Sequence, residues 1–162
     1  MAEKTLDTLF EDTLRDIYYA ERQILKALPK MAKAAQSQEL ADGFEQHRQE
    51  TEGHVERLEK IFEMLDKRPR GKTCDAILGI IEEGKEIMDE YKGNPALDAG
   101  LAAAAQAVEH YEIARYGTLK AWAQQLGLKD AVTLLDQTLA EEKATDEKLT
   151  ALAEAQVNRE AA

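Results

Sequence analysis

The sequence predicts an all-α fold, an antiparallel four-helix bundle with a short fifth helix in its long crossover. Only 9 Gly and 3 Pro interrupt the 162 residues, which are otherwise rich in the strongest helix formers. Apolar residues recur at the helical spacing of three and four positions in four long segments. The connection between the second and third segments takes about 28 residues, enough to cross the bundle lengthwise, whereas the other joints are tight and make antiparallel hairpins.

The first two long helices are predicted at residues 5–35 and 38–66. The first begins at Thr5 and contains Pro29, which we expect to kink or loosen it by removing one backbone hydrogen bond. The second ends in the basic segment Lys67–Lys72. Basic side chains suit the carboxyl end of a helix, and this segment is expected to be an exposed loop.

The crossover holds a short helix predicted at residues 74–91, for which Thr73 is the expected N-cap. A bundle with one long crossover has the ferritin-like topology, as against a simple up-down-up-down bundle. A chain of this length is about one domain, so residues 1–162 are predicted to form a single ferritin-like bundle.

The third and fourth long helices are predicted at residues 95–126 and 128–157. Asn94 is the expected N-cap of the third helix, with Pro95 at its first helical position. Gly127 is well placed as the left-handed residue that ends it. Two hairpins joined by the crossover complete the predicted bundle.

The charge balance excludes two classes of partner. There are 21 basic and 32 acidic residues, which give a net charge of −11. This charge repels phosphate backbones and anionic lipid headgroups, so neither nucleic acid nor a membrane is expected as a partner. No apolar run is long enough to span a bilayer, and no signal-peptide pattern precedes the first helix. The single Cys74 has no partner for an internal disulfide, and we expect a cytoplasmic protein.

Polar residues interrupt the apolar stripe of every long helix, where a core residue should be apolar. The stripe of the second helix leaves Glu50 and Thr51 as alternatives for one of its inward positions. The interrupting residues that we take as candidate metal ligands are Glu21, His47, Glu50, His54, Glu109, Glu112, Glu142 and Asp146. Tyrosines near them are interpreted as core or interface aromatics.

The interruptions fall at matched heights along the bundle. Glu21 is 15 residues before a turn near residue 36 and Glu50 is 14 after it, while Glu112 and Glu142 are each 15 residues from the second turn. At 1.5 Å per residue, both hairpins place a carboxylate about 22 Å from their turn. The four carboxylates are therefore expected to meet near one level in the core.

Carboxylates that converge in a core cannot all stay ionised unless protons or a cation neutralise them. Oxygen donors with one or two imidazoles suit Fe or Mn. An offset of 91 residues pairs Glu21 with Glu112, and Glu50 with Glu141, so the two halves look like distant repeats. Such a twofold pattern predicts two divalent metal ions, Fe or Mn, between two equivalent hairpins.

The sequence departs from the usual pattern of such bundles, in which two helices each supply one Glu and the other two each supply Glu-x-x-His. Neither Glu50 nor Glu142 is followed by histidine at the third position. His47, three residues before Glu50, is another imidazole that can reach the site, and Glu109, three before Glu112, adds a carboxylate. The predicted centre is rich in carboxylates and poor in histidine.

Three stretches resemble a known family. They are HRQET at 47–51, VEHYEIARYGTL at 108–119 and EEKATD at 141–146. Together with the rest of the chain they are similar to the YciF-like bacterial stress proteins. The resemblance implies a fold similar to that of rubrerythrins, an association with bacterial stress responses and a homodimer. It favours His47 with Glu50 as the pair from the second helix, whereas His54 lies outside that motif.

Two hypotheses of function follow. The first is a dinuclear Fe or Mn carboxylate protein of the bacterial stress response that handles a small oxidant, peroxide or dioxygen, with oxidase-like or peroxidase-like activity. The alternative is a non-catalytic dimeric stress or interaction protein with a polar network or a vestigial metal site in its core. Ferritin-like iron storage is disfavoured, because no feature of the chain specifies a multi-subunit cage.

Overall fold

A computed structural model describes residues 2–162, which form helices, turns and loops without a β-strand. The helices are α1 Leu6–Ala34, α2 Gln38–Met64, α3 Asp75–Glu90, α4 Leu97–Gln125, α5 Lys129–Leu152 and α6 Asn158–Ala161, with a π-helical turn at Ala153–Val157. The bounds differ from the predicted ones by at most two residues, except that the last predicted helix is divided by the π-helical turn.

Two antiparallel hairpins, α1 with α2 and α4 with α5, pack into a four-helix bundle. Across the bundle α1 lies against α4 and α2 against α5, while α3 packs on α4 and α1 on the outside. The predicted fold class is confirmed. Among residues 2–162, every helix is too short or too polar to cross a bilayer.

The α1 helix shows why the bundle has a divided core. Phe10, Leu14 and Ile17 are buried before the carboxylate of Glu21, and further apolar residues are buried after it. The same order of apolar, polar and apolar residues occurs in α2, α4 and α5. The core therefore consists of two apolar layers with a polar layer between them. Pro29 does not end the helix, since α1 continues past this exposed residue to Ala34.

Asp98, near the start of α4, joins the two hairpins. Its buried carboxylate accepts the backbone N–H of Gln36 at 2.8 Å and that of Ser37 at 2.7 Å. Ser37 is the N-cap of α2, and its own hydroxyl accepts the N–H of Leu40 at 3.4 Å. The amino ends of α2 and α4 are thus fixed to each other.

The predicted N-cap of α3 and the predicted first residue of α4 are wrong. Cys74, not Thr73, is the N-cap of α3, because its Sγ accepts the backbone N–H of Ile77 at 3.4 Å. The α4 helix begins at Leu97 rather than at residue 95, because the N–H of Leu97 is used in a turn that closes on the carbonyl of Asn94.

The predicted end of α4 is confirmed. Gly127 has φ 73°, and the N–H of Leu128 reaches the carbonyl of Ala123 at 2.9 Å, the arrangement that commonly ends a helix at a left-handed glycine. This tight turn lets α5 fold back directly along α4.

Candidate metal centre

The polar layer of the core contains a cluster of six side chains, which we call the carboxylate–histidine cluster. The α2 and α4 helices each contribute two of them, and α1 and α5 contribute one each. All are buried, and none has a side chain more than 2% exposed. The six residues are Glu21, His47, His54, Glu109, Glu112 and Glu142.

The cluster divides into two groups of converging atoms. His47, Glu109, Glu112 and Glu142 form one group, and Glu21, His54 and Glu142 form the other. Within each group one nitrogen or oxygen atom per residue lies within 4.8 Å of all the others. Glu142 belongs to both groups, so its carboxylate stands between them.

Short distances inside the cluster do not correspond to well-formed hydrogen bonds. Nε2 of His47 is 2.7 Å from Oε1 of Glu109, and Nδ1 of His54 is 2.8 Å from Oε1 of Glu142 and 3.5 Å from Oε2 of Glu21. Even so, these atoms lack a hydrogen-bond partner of acceptable geometry. Among residues 2–162, ten of the eleven buried side-chain nitrogen and oxygen atoms without a partner belong to the cluster. Buried polar groups are normally paired, so this concentration makes the cluster the candidate site of the chain for a ligand.

The pKa values show how the cluster balances its charge with protons. Burial, together with the nearby charge of Glu142, raises the pKa of Glu109 and of Glu112 well above the ordinary value. Burial alone would raise the pKa of Glu142, but the close approach of Glu112, Glu109 and His54 outweighs it and lowers that pKa. Burial lowers the pKa of His47. The raised pKa values of Glu109 and Glu112 favour their protonated forms, which lowers the negative charge of the cluster.

A carboxylate of α5 contacts the ring nitrogen of His54 that does not face the cluster. Nε2 of His54 is 2.9 Å from Oε2 of Glu141. Arg57 donates two hydrogen bonds, of 2.7 and 2.9 Å, to the same carboxylate. Burial alone would lower the pKa of His54, but the hydrogen bond with Glu141 and the nearby carboxylates of Glu142 and Glu21 raise it to about 12. The hydrogen bonds from Arg57 and His54 lower the pKa of Glu141 to about 2. This contact orients Nδ1 of His54 into the cluster.

Tyr116 orients a second member of the cluster. Its buried hydroxyl donates to Oε1 of Glu21 at 3.1 Å, while Oε2 of Glu21 has no hydrogen-bond partner. The tyrosine predicted as a core aromatic is therefore also a polar contact of the site. His47 differs, because its buried Nδ1 has no hydrogen-bond partner among residues 2–162.

Two of the eight predicted site residues lie outside the cluster. Glu50 is half-buried and accepts a hydrogen bond from Thr145 at 3.0 Å. Asp146 is partly exposed and lies 3.1 Å from Nε2 of the exposed His110. In α2 the inward position belongs to Thr51, the alternative that the periodicity left open, and its hydroxyl donates to the carbonyl of His47 at 2.7 Å.

The register of the internal repeat explains this arrangement. The offset of 91 residues pairs Thr51 with Glu142, and His54 with Thr145, and all four are buried. The Glu-x-x-His pattern is thus split, since α2 keeps the histidine and α5 keeps the glutamate. The sequence contains this pattern, but it is seen only when Glu142 is paired with Thr51 at the offset of 91 residues, and not when Glu50 is paired with Glu141.

The fold and the cluster together define a ferritin-like helical bundle with a carboxylate–histidine cluster in its core. The chain belongs to the family described as a domain of unknown function, DUF892, whose model matches residues 5–162. It is 45% identical to protein YciF of Escherichia coli K12 over 159 residues, which are 98% of this chain and 96% of that protein. The resemblance found in the sequence is confirmed.

Solved structures support the same relationship. The crystal structure of the E. coli stress protein YciF matches with a TM-score of 0.91 at 45% identity, covering 96% of this chain and 99% of the other. YcfI of Rhodopseudomonas palustris matches with a TM-score of 0.88 at 50% identity, covering 90% and 93%. A protein from Xanthomonas campestris pv. campestris, at 23% identity over 94% of both chains, has a TM-score of 0.72 and shares the fold.

Proposed function

We propose that this protein is a dinuclear Fe or Mn carboxylate protein that reacts with peroxide or dioxygen in a bacterial stress response. The observation that carries the proposal is the set of ten buried, unpartnered nitrogen and oxygen atoms in the carboxylate–histidine cluster. The name of the E. coli relative, a stress protein, supports the biological setting. Homodimer formation stays a prediction.

The donor set fits two divalent ions. The four carboxylates of Glu21, Glu109, Glu112 and Glu142 would carry four negative charges, which two divalent cations balance. Carboxylate oxygens with imidazole nitrogens are donors that Fe and Mn accept. Glu142 would serve both ions, since it is a member of both groups. The net neutrality of such a site removes the cost of burying like charges together.

The chain's own residues would prepare the site for chemistry with an oxidant. Two bound Fe or Mn ions supply the change of valence that reduction of peroxide or dioxygen requires. Glu141 holds the ring of His54 and Tyr116 holds one oxygen of Glu21, so the facing donor atoms are fixed in advance. The apolar layers on both sides of the cluster limit the access of water.

The direct test is the metal content of protein purified without a chelator and then saturated with Fe(II) or Mn(II). We expect two ions per chain by mass spectrometry, followed by oxidation of the Fe(II) form when peroxide or dioxygen is added. Binding of fewer than about one ion per chain at saturation would contradict the proposal and favour a polar network without metal.

The Glu141→Gln variant tests how His54 is held. Because glutamine keeps the size of the side chain but lacks the charge that Arg57 and His54 share, the imidazole should be less well fixed. Loss of such an outer contact typically weakens metal binding roughly 10–100-fold, and we expect this range by competition with a fluorescent chelator. The exposed Glu147 on the same helix offers the matched control, Glu147→Gln. Equal affinities for the two variants would contradict the assigned role of Glu141.

The stability of the chelated protein should fall between about pH 6 and pH 9. The folded chain keeps protons on Glu109, on Glu112 and on His54, whose pKa is raised to about 12, whereas the unfolded chain releases them above the ordinary values of 4.5 and 6.5. Each proton kept only by the folded state makes the free energy of unfolding fall as the pH rises. Glu141, with a pKa of about 2, stays ionised in both states over this range.

Thermal unfolding at the two ends of this pH range measures the effect. Saturation with Mn(II) should flatten or reverse the dependence, because metal binding requires deprotonated ligands and so improves as pH rises. The double variant Glu109→Gln, Glu112→Gln should reduce the dependence without metal and leave the part that His54 contributes. A chelated parent protein that is more stable near pH 9 than near pH 6 would show that the cluster does not hold these protons.

A further inference from the structure

An apolar crevice lies between α1, α3 and α4, on the side of the bundle that the crossover helix covers. Its volume is about 280 Å³, just below the range of roughly 300–1,000 Å³ for small-ligand pockets. Three helices supply its apolar lining, which includes Ile24, Leu28, Ile81, Met88, Ala105 and Val108. The crevice therefore suits a small ligand with a hydrocarbon part.

His47 connects this crevice with the carboxylate–histidine cluster. It is the residue of α2 that lines the crevice, and its side chain is only 2% exposed. A ligand that fills the crevice would therefore end beside the cluster without replacing any of the carboxylates.

The rim of the crevice has the opposite charge from the protein as a whole. Lys26, Lys30 and Lys85 line it and are exposed, against one carboxylate, that of Glu82. Lys85 is 3.9 Å from Glu82, whereas Lys26 and Lys30 form no ion pair within residues 2–162. On a chain with a net charge of −11, this local excess of lysine is a feature that favours an anionic group at the rim.

We propose that the crevice binds an aliphatic carboxylate of medium chain length. The carboxylate lies at the rim, where two lysines without ion-pair partners meet it, and the hydrocarbon tail lies among the apolar side chains and approaches His47. Burial of each methylene group favours binding, and charge-assisted contacts fix the head. A free phosphate would leave the apolar lining unused, and a neutral hydrocarbon would leave the lysines unused.

Titration of the chelator-treated protein with octanoate, followed by calorimetry, tests the proposal independently of metal binding. We expect saturable binding that is at least about tenfold tighter than that of octanol, which lacks the charge, and of butyrate, which lacks the length. Octanol that binds as tightly as octanoate would overturn the assignment of the lysine rim. The absence of saturable octanoate binding would overturn the whole proposal, whatever the metal content of the protein.

A pair of glycines in α3 provides matched variants. A Cβ added at the buried Gly84 would lie 3.7 Å from Cβ of Ala104, an ordinary contact beside the crevice, whereas a Cβ added at Gly79 would meet no atom within 4 Å. Gly84→Leu should fill the crevice and reduce octanoate affinity at least about tenfold, whereas Gly79→Leu should leave it within about twofold. Equal binding by the two variants would place octanoate elsewhere and overturn the proposal.

The rim variant Lys26→Gln, Lys30→Gln keeps the test independent of how well Gly84→Leu folds, because both lysines are exposed. It should weaken octanoate binding about tenfold and leave octanol binding unchanged. If Gly84→Leu instead changes the sedimentation of the protein while octanoate has no effect on the parent, a second copy of the chain covers the crevice and the proposal is wrong.

Discussion

Replacing Glu142 by Gln is expected to abolish tight metal binding in both halves of the carboxylate–histidine cluster. Glu142 is the residue that the two groups share, and its carboxylate contacts His54 at 2.8 Å. Glutamine keeps the shape but supplies a neutral, weaker donor, so both positions lose a ligand and the site loses one negative charge. The affinity for Mn(II) should fall by more than about 100-fold at each site, beyond the effect usual for outer contacts.

Glu109→Gln provides the comparison that makes this result specific. Glu109 belongs only to the group that contains His47, so its replacement should reduce the number of ions bound tightly from two per chain to about one. The exposed Glu147→Gln should bind as the parent does. If Glu142→Gln and Glu109→Gln lose the same number of ions, Glu142 does not stand between two metal positions.

Saturation with Mn(II) is expected to raise the melting temperature of the protein strongly. A ligand that binds only the folded state stabilises it by about 4.1 kcal/mol when its free concentration is 1,000 times Kd. For a chain of about this length 1 kcal/mol corresponds to roughly 2–4 °C, so one occupied site adds about 8–16 °C. The gain arises because the cation pairs with carboxylates that the fold otherwise buries at high cost.

Differential scanning fluorimetry with and without Mn(II) measures this shift, and excess chelator should reverse it. The Glu142→Gln variant is the negative control, since it should show a shift of less than about 2 °C under the same conditions. A parent protein whose melting temperature does not respond to Fe(II), Mn(II) or chelator would have a core that is stable as a proton-bonded network. In that case the non-catalytic alternative would be favoured.

Much of the fold and the carboxylate part of the site could be predicted from the sequence. Long regular helices give each residue a defined angle, so Glu21, Glu109, Glu112 and Glu142 were identified where they interrupt apolar stripes, and the structure brings them together. The predicted levels of Glu21, Glu112 and Glu142 rely on the rise per residue, which varies little in α-helices. Local rules of this kind do not depend on how helices rotate against each other.

The remaining parts depend on that rotation. Glu50 and Thr51 differ by about 100° around the helix axis, and the periodicity of α2 alone did not decide which one faces inward. The contact of Glu141 with His54 joins α5 to α2, and its presence depends on the relative rotation of the two helices. Asp146 was predicted as a candidate ligand, but it lies beside His110 on the outside.

The hydrogen bonds of Asp98 place the first residues of α2 and α4 at the same level along the bundle axis. They fix the start of α2 to the start of α4, and from there His47 is ten residues beyond Ser37, while Glu109 is eleven beyond Asp98. These separations correspond to about 15 and 16 Å, and a slip of one residue would move one set of donors by about 1.5 Å relative to the other. A carboxylate far from the cluster thus sets the axial alignment on which the meeting of His47 with Glu109 depends.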